Sequence, residues 1–189
     1  RDEPTELHLG DENTIREYVT LNRGSTKADG VTRIGNQNMF LAYSHVAHDC
    51  VLGNGIVMVN NATMAGHVTV DDYAILGAFT AIHQFCRIGA YSFLSRAAEV
   101  NKDIPPYMLV KGIPGLPCGL NAVGLQRRGF NEETIAGLKK AYKIIYRRDL
   151  KLTEVLRELR SLIESTPEVQ LILDIFESTQ RGVVRQCAD

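Results

Sequence analysis

Residues 43–50, YSHVAHDC, set His45, His48 and Asp49 inside an otherwise apolar run. Such a group has three chemical readings: polar side chains facing water, ligands for a metal, or an acid–base pair. Converging imidazoles can hold zinc. A neutral imidazole can instead take a proton from a hydroxyl near pH 7, with an adjacent carboxylate orienting it. His67 lies in GHVTV and His83 in IHQFC, so the theme recurs along the chain. The recurrence is numerical: His48, Gly66 and Gln84 are 18 residues apart, as are Asp49, His67 and Phe85.

The element that must position these residues is a repeat. Stepping by six from Ile34 meets Phe40, Val46, Leu52, Met58, Met64, Val70, Leu76, Ile82, Ile88, Leu94 and Val100, all apolar. At 44 % apolar composition, twelve such hits in one frame have a chance of about one in twenty thousand. The same step fits Leu9, Ile15 and Leu21, after which Asn22 to Arg33 (22–33) reads as a polar loop inserted into the array. Four residues beyond each apolar position the side chain is usually small, as at Ser44, Cys50, Ala62, Ala74, Thr80, Cys86, Ser92 and Ala98. One large and one small residue per hexad is buried by a parallel β-helix whose coil is three hexads long. Residues one coil apart then stack about 4.8 Å apart, which gathers four of the five histidines on one edge of a prism.

The pattern stops near Lys102–Pro106, dividing the chain into a solenoid over 1–105 and a connection with a helical domain over 106–189. In the latter, Asn131 is expected to cap a helix burying Ile135, Leu138, Tyr142, Ile145 and Tyr146. Thr153 is expected to cap a second helix, and Thr166 with Pro167 a third reaching Phe176. Net charge is −1 over 189 residues, but Gln126–Arg160 carries ten Lys/Arg against five Asp/Glu. That segment suits an acidic partner. No stretch approaches the roughly 18 apolar residues of a membrane span, and no secretory signal is found, although the first residue is Arg1. Neither a membrane span nor a nucleic-acid partner is expected. Cys50 and Cys86, two coils or about 9.5 Å apart, exceed the roughly 7 Å reach of a disulfide. Reduced cysteines fit a cytoplasmic protein.

On such a solenoid, a backbone N–H at Gly66 lies one coil from His48, unobstructed by a side chain, and can serve a developing oxyanion. A general base beside an oxyanion donor implies acyl transfer, with a substrate hydroxyl as nucleophile because the column holds no Ser or Cys. The histidines spread over neighbouring columns, which disfavours a metal without removing that reading.

The segments HVAHDCVLGN, NNATMAGHVTVDDYAILG, IHQFCRIGAYS, DIPPYM and GLQRRGF resemble, in order and spacing, the acyl-carrier-protein-dependent UDP-N-acetylglucosamine O-acyltransferases of lipid A biosynthesis. The resemblance runs from Glu3 to Gly182. It implies a left-handed winding, contrary to the usual crossover preference. It also implies transfer of an R-3-hydroxyacyl chain from acyl carrier protein to the glucosamine 3-hydroxyl of UDP-N-acetylglucosamine, without metal or cofactor, in a homotrimer with sites between subunits. On matching positions His48 is the general base, Asp49 its partner and Gly66 the oxyanion donor. His45, His67, His83 and Gln84 line the sugar and acyl site. Asn121, Arg127 and Arg128 hold the nucleotide, where a cationic fork suits a pyrophosphate. Arg96 stands where some relatives have a glycine that passes a long acyl chain, so a shorter chain is expected. The basic surface around Lys139, Lys140, Lys143, Arg147 and Arg148 faces the carrier protein.

The chain departs from the family pattern in places. The family's first coils and a substrate-contacting lysine are expected upstream of Arg1; Ile113-Pro114 replaces an Asn-His pair; Val123 replaces a frequent Glu. The nearest rival, the later N-acyltransferase of the same pathway, is disfavoured by His-Asp-Cys, by the IHQF segment and by the basic start of the helical tail.

Overall fold

A computed structural model describes residues 3–187, and in it the hexads wind into a parallel β-solenoid. The first coil holds β1 (Glu6–Leu9), β2 (Thr14–Ile15) and β3 (Thr20–Leu21); the second holds β4 (Val31–Ile34), β5 (Met39–Phe40) and β6 (His45–Val46). The third is β7 (Val51–Leu52), β8 (Val57–Met58) and β9 (Thr63–Met64). The fourth is β10 (Thr69–Val70), β11 (Ile75–Leu76) and β12 (Ala81–Ile82), and the fifth is β13 (Arg87–Ile88), β14 (Phe93–Leu94) and β15 (Glu99–Val100). Then come β16 (Met108–Lys111) and β17 (Leu116–Leu120). Face one stacks β1, β4, β7, β10 and β13; face two stacks β2, β5, β8, β11, β14, β16 and β17; face three stacks β3, β6, β9, β12 and β15. Val46 lies opposite Met64 and Met64 opposite Ile82, the 18-residue register expected from the hexads.

The large hexad residues point inward: Phe40, Val46, Met58, Met64, Leu76, Ile88 and Leu94 are fully buried. The small ones fill the space between them, with Ser44, Cys50, Ala62, Ala74, Thr80, Cys86, Ser92 and Ala98 also buried. Leu9 and Ile15 are half-exposed, since no described coil lies beyond the first. Three residues after each large one the chain turns through the left-handed region, with φ of 57° at Gln37, 62° at Tyr43, 59° at Asp49 and 60° at His67. L-residues adopt this conformation at a cost of about 1–2 kcal/mol. The corner N–H groups offset it by bonding the preceding coil, as His67 N–H does to the His48 carbonyl at 3.1 Å.

Two irregularities depart from the sequence reading. The insertion is shorter than 22–33: β4 takes Val31–Ile34, leaving 22–30 as loop, because Thr32 and Ile34 satisfy the inward period and are buried. Leu9 pairs with Ile34 across 25 residues, so seven residues are extra. The solenoid also continues past 105. Ile88 bridges Ile104 and Leu94 pairs with Val110, both 16 residues on, so a coil two residues short hides from a search by six.

Among the described residues the tail has four helices: α1 (Ala122–Arg127), α2 (Glu132–Tyr146), α3 (Leu152–Leu162) and α4 (Val169–Ser178). Asn131 caps α2 as expected, its side chain accepting the Thr134 N–H at 2.8 Å, and the expected apolar face of α2 is buried. The other expected starts move. Lys151, not Thr153, precedes α3, where Glu154 accepts the Lys151 N–H at 2.9 Å. Thr166 is buried against Gly137, and α4 begins two residues past Pro167. Among the described residues the unexpected helix is α1, six residues long, begun by Asn121 accepting the Gly124 N–H at 3.2 Å. Buried Asp103 joins the parts: its N–H donates to Gly182 O and its carbonyl accepts from Val184 N–H, each at 3.0 Å.

Candidate active site at the histidine corner

The corner between faces three and one gathers four of the candidate residues. His48 and Asp49 follow β6, and Gly66 and His67 follow β9 one coil on. His48 Nδ1 lies 2.7 Å from Asp49 Oδ2, and His67 Nε2 lies 3.7 Å from the same oxygen. The two imidazoles meet edge to face, centroids 5.2 Å apart, while His67 stacks on Phe85 at 4.5 Å. Gly66 is required by contact: a methyl group there would lie 2.5 Å from His48 Cε1 and 2.8 Å from Nε2. Among the described residues its N–H meets no hydrogen-bond acceptor.

Asp49 is buried, and burial alone pushes its carboxyl up. The Ser25 hydroxyl and N–H, with His48 and His67, outweigh that and hold it below the ordinary carboxylate range. Ser25 Oγ donates to Oδ2 at 2.6 Å and Ser25 N–H to Oδ1 at 2.7 Å; Thr32 Oγ1 accepts the Asp49 N–H at 2.7 Å. Sequence reasoning missed both. The signal for Ser25 was present, because the inserted loop interrupts the same corner one coil before His48.

His45 sits on face three at the start of β6, its Nδ1 2.6 Å from Thr20 Oγ1, and burial lowers its pKa, favouring the neutral ring. By register Gln84 stacks beyond Gly66 with exposed His83 beside it, whose Nδ1 is 3.1 Å from Gln84 O. The ligating atoms of His48, Asp49 and His67 all lie within 4.8 Å of one another, so these three could begin a metal site.

The remaining candidates lie on other edges. Asn121 donates to Tyr91 O at 2.9 Å, and the Arg128 guanidinium lies 4.3 Å over the Tyr73 ring, both at the corner between faces one and two. Arg127 borders a cavity of about 370 Å³ with Ile75, Phe93, Leu109, Leu120 and Val123. Arg96 is exposed at the third corner, 5.9 Å over Phe79. One chain therefore unites His48, Asp49, Gly66 and His67 but not the arginines.

A family model described as UDP-N-acetylglucosamine O-acyltransferase, domain 2, matches residues 103–184, which hold the short sixth coil, β17 and the helical tail. A protein of Alkalilimnicola ehrlichii named acyl-[acyl-carrier-protein]–UDP-N-acetylglucosamine O-acyltransferase is 49 % identical over 183 residues, 97 % of this chain and 71 % of its own. The chain belongs to the UDP-N-acetylglucosamine O-acyltransferase family. A like-named protein of Herminiimonas arsenicoxydans is 46 % identical over 97 % of this chain and 71 % of its own. The solved UDP-N-acetylglucosamine O-acyltransferase of Moraxella catarrhalis superposes with a TM-score of 0.93 at 41 % identity, covering 98 % of this chain and 72 % of that one. That of Francisella novicida also gives 0.93, at 38 % identity, covering 97 % and 67 %. Membership in this O-acyltransferase family embraces both solenoid and tail, since each alignment runs through the join.

Proposed function

We propose that this family member is an enzyme of the first step of lipid A biosynthesis, moving an R-3-hydroxyacyl chain from acyl carrier protein to the glucosamine 3-hydroxyl of UDP-N-acetylglucosamine. His48 Nε2 takes the hydroxyl proton while Nδ1–H donates to Asp49, which stabilises the imidazolium. The sugar oxygen attacks the thioester carbonyl, and the Gly66 N–H donates to the oxyanion. Collapse forms the ester, and the imidazolium returns its proton to the leaving thiolate. The observation that carries this reading is the 2.7 Å His48–Asp49 contact, with Gly66 against the imidazole where any Cβ would collide.

His45, His67, His83 and Gln84 line the sugar and acyl groups, Asn121, Arg127 and Arg128 take the nucleotide, and Arg96 limits acyl length. The proposed winding is left-handed and the proposed assembly a homotrimer in the cytoplasm. A prism edge is convex and needs a second wall to make a cleft; a second copy would supply that wall. Basic residues in and just after α2, from Lys139 to Arg148, meet the acidic carrier. The reaction uses no resident metal or cofactor.

Acyl transfer by His48→Ala beside the parent chain, with a panel of acyl-carrier donors, tests this. Loss of the base should lower the rate by roughly 10² to 10⁴-fold; an unchanged rate would sink it. The three clustered ligand atoms favour zinc hydrolysis or hydration as a second reading. Against it, a 2.7 Å His48–Asp49 contact is a hydrogen bond, and Ser25 already occupies both carboxylate oxygens. Stoichiometric zinc in the purified protein, with activity lost to chelation, would favour that reading instead.

A further inference from the structure

We infer that Ser25 is a positioning residue that makes Asp49 serve His48 and not His67, and so decides which imidazole is the base; this rests on the acyl-transfer reading above.

Asp49 Oδ2 has two imidazoles within reach, His48 Nδ1 at 2.7 Å and His67 Nε2 at 3.7 Å. A carboxylate rotates about its terminal bond through a broad, shallow profile, so nothing intrinsic to Asp49 selects between them. Ser25 supplies the selection by holding both oxygens at once, Oδ1 through its N–H at 2.7 Å and Oδ2 through its hydroxyl at 2.6 Å. Two donors on two oxygens fix the carboxylate plane, leaving the remaining direction at Oδ2 aimed at His48.

The loop that carries Ser25 is itself fixed at its foot. Gly24 N–H donates to Glu6 O at 2.9 Å, and a Cβ on Gly24 would fall 2.1 Å from Gly30 C and 2.2 Å from Val31 N. Only glycine lets the two ends of the loop close this tightly, and that closure sets Ser25 against Asp49. The seven extra residues therefore buy a rigid donor for a buried carboxylate in the neighbouring coil.

The groups facing Asp49 are His48, His67, Ser25 and Thr32, and Asp29 in the loop and buried Cys50 also feel its charge. Without the Ser25 hydroxyl the carboxylate turns toward His67, and the His48 imidazolium loses its partner. The test uses the full chain with Ser25→Ala and Ser25→Thr, the second keeping the hydroxyl. In Ser25→Ala, kcat should fall about 10- to 100-fold, the worth of one charge-assisted hydrogen bond. The acid limb of kcat/KM should move to lower pH, and the downfield proton resonance of His48 Nδ1–H, identified by its absence in His48→Ala, should move upfield. Ser25→Thr should restore all three. An acid limb and resonance that stay in place overturn the inference whatever kcat does, and so does a move of both in the opposite direction, which would mean Asp49 stays on His48. The resonance needs no turnover, so it separates failure here from failure of the acyl-transfer reading.

Discussion

Asp49 shows how much one side chain depends on its neighbours. It occupies a left-handed corner, is buried, and remains a carboxylate because donors surround it. Its native pKa is depressed, so its contacts add stability that is fully present above the ordinary carboxylate value near 4 and drains away as pH falls through the lower native value. Asp49→Asn should therefore flatten the acid side of a stability-against-pH curve from chemical denaturation, below about pH 4. An acid slope identical to that of the parent would mean the carboxylate is not held as described. Gly66 makes a second residue-level prediction. Gly66→Ala keeps the N–H but drives a methyl into His48, so kcat should fall at least tenfold with little change in melting temperature. Cys50 and Cys86, with thiols pushed up to about 11 by burial, should react with thiol reagents in the native chain far more slowly than Cys118.

At the scale of elements, the two-residue strands have little stability of their own and hold together through the stacked hexad core. Met58 is fully buried between Phe40 and Leu76 in the middle coils, so Met58→Ala should cost about 2–5 kcal/mol in denaturant unfolding. Asp103 works differently, as a pin. Its carboxylate accepts the Arg87 N–H at 2.7 Å and the Thr179 hydroxyl, tying the segment after α4 to the fifth coil. Most of the array was legible from its period, because an inward position every six residues must be apolar wherever the coil is regular. The short sixth coil and the true end of the inserted loop were not, since both change the spacing that the search relies on. Two helix starts slipped by two residues: at Thr166 a backbone turn replaces the side-chain cap, and at Lys151 the Glu154 carboxylate takes the first N–H from inside the helix.

For the whole molecule, the outer side of face two is apolar in five successive strands: Met39, Val57, Ile75, Phe93 and Leu109. The proposed trimer would cover part of that surface, and sedimentation equilibrium should return a mass three times the 21.0 kDa of one chain. A monomer that retains full activity would contradict it. Arg96 belongs to this scale as well, because its exposed position over Phe79 puts it near an acyl chain only if another copy forms the opposite wall. Arg96→Gly should raise the rate with longer donors relative to shorter ones in a competition assay.

By itself the sequence determined the length of the coil, the inward residues and the columns in which His48, Gly66 and Gln84, and Asp49, His67 and Phe85, must stack. These follow from a period, and a period survives projection onto one dimension. Only the tertiary structure decided that Ser25, 24 residues upstream of Asp49, supplies the carboxylate with two donors, and that Asn121 and Arg128 stand on another edge. The physical reason is that an inserted loop and a helical tail obey no register, so what they touch is settled by packing.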